Sequence, residues 1–102
     1  PSGYQAEMGI VVAGIQQGDY EAAALRARKV IERNPRYPMS YVSLIIAECG
    51  RGDLAEARRQ LDRLAGVLPG FTPAALIEIF RMVPEPFASK ALGMLQAAGL
   101  LG

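Results

Sequence analysis

Apolar side chains recur along this chain at helical spacing. Met8, Val11, Val12 and Ile15 form one stripe, Tyr41, Leu44 and Ile45 a second that continues to Glu48, and Leu76, Ile79, Phe80 and Val83 a third. Between the stripes lie helix punctuators. Gly18 and Gly52 suit a left-handed helix end, and Asp19, Asp53 and Thr72 suit the cap of the next helix, with Glu56 at capping-box distance from Asp53. Pro35 and Pro69 suit a helix stop, and Pro73 suits a first turn. Together these signals predict an all-α chain with helices at about 4–17, 20–34, 38–50, 54–67, 72–83 and 86–98.

The punctuation repeats at an offset of 34 residues. Gly18-Asp19-Tyr20 returns as Gly52-Asp53-Leu54, and in the same register Ala23 pairs with Ala57, Val30 with Leu64, Pro35 with Pro69 and Tyr37 with Phe71. Turn, small, apolar and proline positions thus share one period, the mark of stacked supersecondary units. Ala23 and Ala57 fall where the two helices of a pair would cross, and a small residue there lets the backbones approach closely.

On these residues the chain resembles the tetratricopeptide repeat family, whose pattern is W-x2-L-G-x2-Y, A-x3-F and P over 34 residues. The segment from Tyr4 to Tyr37 departs from it at Glu7 and Ile10-Val11 but keeps Gly18-Asp19-Tyr20, Ala23 and Pro35. The segment from Pro38 to Phe71 is the better copy, with Tyr41 in the tryptophan place, Leu44, Gly52, Ala57, Leu61 and Pro69. A third, atypical copy holds Ala91, Leu95 and Ala98, with Pro84-Glu85-Pro86-Phe87 in place of the turn. The resemblance implies a single domain over 1–102, built of three antiparallel helix pairs (repeats about 4–37, 38–71 and 72–102) stacked in a right-handed α-solenoid. The opening Pro1-Ser2-Gly3 points to a fragment of a longer protein. A narrower likeness, carried by Leu68-Pro69-Gly70-Phe71-Thr72, Pro86-Phe87, Leu92, Leu95 and Ala98-Gly99-Leu100, is to the carboxy-terminal repeats of bacterial adenylate cyclase and winged-helix regulatory proteins.

In such arrays the first helix of each pair lines a concave binding groove. Carried onto this chain, the groove holds Met8, Val12, Ile15, Met39, Val42, Ile46, Pro73, Leu76, Phe80 and Val83. The family's basic carboxylate clamp is missing, since its places hold Met8, Val12, Ser43, Pro73 and Ile77. The expected ligand is therefore an apolar or amphipathic segment of another protein. The implied role is a regulatory interaction module of a bacterial signalling protein, with a free-standing adaptor or secretion-type chaperone as the alternative. Core packing or a homodimer would also cover so apolar a face. An open groove requires that polar residues at Val42 and Phe80 leave the fold intact.

Composition narrows the chemistry. Eleven basic residues against ten acidic ones give a net charge of +1, which disfavours nucleic acid. No apolar run reaches the roughly 18 residues of a membrane span, so no membrane partner is expected. With one cysteine there is no internal disulfide, which fits a cytoplasmic protein. Nine of the eleven basic residues are arginine, in keeping with a bacterial source.

Histidine is absent, so neither a general base nor a metal site is expected. Cys49 reads as structural, and Lys29 and Lys90 as solvated surface residues. Gly50-Arg51-Gly52-Asp53-Leu54-Ala55 spells a dinucleotide fingerprint, but in a helical context that removes its meaning. The same stretch contains Arg51-Gly52-Asp53, which turn and cap account for. Arg26, Lys29, Arg33, Arg58, Arg59 and Arg63 mark a basic outer stripe, diluted by Glu21, Glu32, Glu56 and Asp62. The expectation is a non-enzymatic chain without a cofactor.

Overall fold

A computed structural model describes the backbone of residues 2–68 and 70–101 and the side chains of 9–68, 70–72 and 74–101. The described residues form six helices and no strand: α1 (Ser2–Gln16), α2 (Tyr20–Arg33), α3 (Pro38–Arg51), α4 (Leu54–Val67), α5 (Pro73–Phe80) and α6 (Phe87–Ala97). The first two turns obey the repeat closely. Gly18 and Gly52 both adopt φ of 82°, and the next residue bonds back five positions, Asp19 N–H to Gly14 O at 2.8 Å and Asp53 N–H to Glu48 O at 2.9 Å. This 6→1 closure needs a positive φ at its glycine, which a side chain resists.

The caps agree in part. Asp53 accepts from Glu56 N–H at 3.2 Å and Thr72 from Ala75 N–H at 3.2 Å. Asp19 holds the N-cap position of α2 without a side-chain bond. The capping box at Asp53 is half formed, because the Glu56 carboxylate turns to arginines and the Asp53 N–H is already bonded to Glu48 O. Pro35 follows the end of α2 as expected, whereas Pro69 lies outside the described residues. α5 stops at Phe80, short of the predicted end: Pro84 disfavours helical geometry at the residue before it, and Arg81, Met82 and Val83 close as turns.

Packing centres on α3, in which every residue from Ser40 to Glu48 is buried. It packs against α1, α2, α4 and α6, and α1 packs on α2. A helix enclosed on all sides must be apolar around its circumference, and Val42, Leu44, Ile45, Ile46 and Ala47 supply that. Ala23 and Ala57 are buried as their register requires. A Cβ added at Gly14 would meet the Ala23 Cβ at 3.4 Å, so the α1–α2 crossing is tight.

The third pair departs from regular stacking. A simple continuation would set α5, the first helix of that pair, on α3. Instead α6 packs on α3, and the close helical partner of α5 is α6.

Candidate interaction surfaces

The placement of α6 follows from its own sequence. Phe87, Ala88, Ala91 and Leu95 lie on one side of the helix and are all buried. Further along, Met94, Ala97 and Ala98 share a cleft with Cys49, Gly50, Gly52 and Leu54 at the end of α3 and the start of α4, and with Tyr20. Cys49 is thus on the α6 side of α3, and Ile46 and Val42 precede it by one and two turns on that face. Lys90 holds the other flank. Its Nζ donates to Ile15 O at 3.1 Å and Gln16 O at 3.3 Å and lies 5.9 Å from the Tyr20 ring centroid. A cation is favoured on these last carbonyls of α1, where the helix dipole is negative. Lys90 is therefore a half-buried strut and not the solvated residue expected from the sequence.

This arrangement corrects the groove assignment. Ile15, Val42, Ile46, Leu76 and Phe80 are core residues, each at most 2% exposed. Val12, Met39 and Val83 are half-buried against that core. The side chains of Met8 and Pro73 lie outside the described residues. The stripes fall on α1, α3 and α5, apart from Val83 in the turn after α5, and α6 packs on α3.

A second cluster joins α2, α3 and α4. Glu48 is fully buried and takes hydrogen bonds from Arg28 and, at 2.8 Å, from Arg51. Arg28 also reaches Glu56 at 2.8 Å, and Arg59 and Gln60 bond Glu56 at 2.7 and 2.9 Å. Gln60 in turn accepts from Arg63 at 3.1 Å, and the Arg63 guanidinium stacks 5.4 Å from the centre of the Tyr41 ring. No buried side-chain polar atom among the described residues lacks a partner. This satisfaction is what allows a carboxylate inside the core. The predicted basic stripe is accordingly divided: Arg59 and Arg63 belong to this cluster, while Arg26 and Lys29 line an open groove on α2.

No family model, curated protein or solved structure matches this chain. Its surfaces must be read from their own chemistry.

The largest shifts fall on Glu56 and Cys49, beside upward shifts at Arg28 and Arg59. Hydrogen bonding from Arg59 first, then from Gln60 and Arg28, holds the Glu56 carboxyl down at about 2, against an opposing desolvation effect. A depressed folded pKa contributes stability above the unfolded value near 4.5 that is lost as pH falls toward about 2. Melting temperature is expected to fall through that window, and Glu56→Gln is expected to flatten the fall; an unchanged acid limb in the variant would place the titration elsewhere.

Burial first, and the neighbouring Glu48 charge second, push the Cys49 thiol up to about 11. The nucleophilic thiolate is then scarce near neutrality. Iodoacetamide is expected to label Cys49 slowly at pH 8 in the folded chain and readily in denaturant. Equal rates would contradict the environment described.

Proposed function

We propose that this chain is a non-catalytic protein-interaction module of helical-repeat type whose concave face accepts an amphipathic helix. The single observation that carries the reading is α6: it lays Phe87, Ala88, Ala91 and Leu95 against the core and packs on α3, as a helical ligand would in a groove. The 34-residue register and its resemblance to tetratricopeptide repeats support the same class. In this conformation the occupant belongs to the chain itself, so an external helix must displace α6, and its apparent affinity is lowered by the population of the closed form. A place in a bacterial signalling protein remains part of the proposal through the narrower resemblance.

The test keeps the full chain. Ala91 is completely buried, so Ala91→Glu dislodges α6 by placing a carboxylate in its contact face. The variant is expected to retain α1–α4 and to bind a peptide of residues 84–101 saturably, while the parent chain binds it weakly. Global unfolding of the variant, or a folded variant that ignores the peptide, would refute a helix-accepting face.

A further inference from the structure

The seat of α6 includes a polar site beside its apolar face. Phe87, Ala88, Ala91 and Leu95 are buried against the core, but apolar contact is non-directional and by itself fixes neither the register nor the direction of a helix. Lys90 borders that face and reaches across to the first pair. Its Nζ meets Ile15 O and Gln16 O, the carbonyls of the last two residues of α1, together with the ring of Tyr20. Carbonyls at a helix end lack the donors of a following turn and carry the negative end of the dipole.

These acceptors are held in place by the first four helices and not by Lys90. The closure at Gly18 ends α1, with Gly18 N–H bonded to Ile15 O at 3.1 Å and Asp19 N–H to Gly14 O at 2.8 Å. The Tyr20 ring lies against α3 at Gly50, where an added Cβ would collide with it. Gly50 thus keeps a place for the ring beside the end of α1. The surrounding charge favours the same sign of ligand: Asp19 and Glu21 flank Tyr20, and Arg51, next to Gly50, is bonded to Glu48.

We propose that this site selects the ligand of the helix-accepting face, on which reading it rests: an external helix that replaces α6 must carry lysine or arginine at the position of Lys90. The partner is then an amphipathic helix with an aromatic residue at i, a basic one at i+3, a small one at i+4 and an aliphatic one at i+8, the pattern of Phe87, Lys90, Ala91 and Leu95. A neutral helix with the same apolar face covers the α1 carbonyls without giving them a charged donor, and the unpaired acceptors weaken its binding. The cation also sets register, because it meets its acceptors in one placement of the helix.

The receiving chain for the test carries Lys90→Gln with Ala91→Glu, which vacates both the seat and the cation site. Labelled peptides of residues 84–101 with lysine, arginine or glutamine at position 90 are titrated against it by anisotropy. The two basic peptides are expected to bind saturably and at least about tenfold tighter than the glutamine peptide, the scale of hydrogen bonds from a charged group with a cation–π contact. Adding Tyr20→Leu to the receiving chain is expected to narrow that gap. Equal affinities, or a gap that Tyr20→Leu leaves intact, would overturn the cation site while the helix-accepting face stands; binding by none of the peptides would overturn both. The otherwise unaltered chain gives a second reading that does not depend on the receiving chain folding. There Lys90→Gln is expected to raise the opening of α6, followed by amide exchange at 88–97, about tenfold, and Lys90→Arg to hold it at the parent level. Exchange that is the same in the parent and in Lys90→Gln would overturn the site.

Discussion

Arg28→Ala is expected to lower stability by about 3 kcal/mol, because it strips a partner from a carboxylate with no access to water. Glu48 would keep Arg51, and Arg28 is itself 36% exposed, so the lower end of the range for a broken buried pair applies. For a chain of this size the melting temperature should drop by about 12 °C or more. The asymmetry is diagnostic. Glu48→Leu leaves only partly exposed guanidiniums that water can solvate and should cost less than Arg28→Ala. Combining Arg28→Leu with Glu48→Leu should recover most of the stability, since apolar side chains of similar volume replace a buried pair with little loss. Thermal melts of the three variants check this, and a cost below about 1 kcal/mol for Arg28→Ala would reduce the cluster to an ordinary surface pair.

Phe80→Ala is expected to cost about 3–5 kcal/mol of packing, and Val42→Asp to be at least as damaging. An open groove requires the opposite, since exposed apolar residues can be exchanged for polar ones without cost. Both side chains are within the core, at 2% and 1% exposure, and Phe80 belongs to the helix whose close helical partner is α6 alone. Phe80→Ala should therefore release the third pair first, seen as early proteolysis between α4 and α6 and a lower melting temperature. A variant that melts with the parent and resists protease would return Phe80 to an open surface.

Much of the secondary structure was legible because it rests on local signals. Gly18 and Gly52 end helices through backbone closures that involve only the preceding turn, and Thr72 and Asp53 cap through bonds three residues long. What joins the elements was not legible. An apolar stripe announces that a face is covered but not by what, so Val42 and Ile46 fit a ligand groove as well as they fit a seat for α6. The ion cluster depends on Arg28 meeting carboxylates 20 and 28 residues away, and nothing in α2 separates Arg28 from the neighbouring bases. One signal was present: Glu48 extends the stripe of Tyr41, Leu44 and Ile45, and a charge on a core face demands a partner. Lys90 gave no comparable sign, since its acceptors are backbone carbonyls some 75 residues earlier.

Native-state amide hydrogen exchange on the full chain distinguishes an α6 that detaches from its seat on α3 from one that is integral to the core. Local opening reports a lower free energy than global unfolding when a segment can leave by itself. Amides of 88–97 are expected to exchange at a distinctly lower free energy than those of 41–48, and Ala91→Glu to bring the former near free-helix rates while the latter stay protected. Equal free energies for the two segments, with both losing protection together in Ala91→Glu, would show instead that α6 is an inseparable part of one cooperative core.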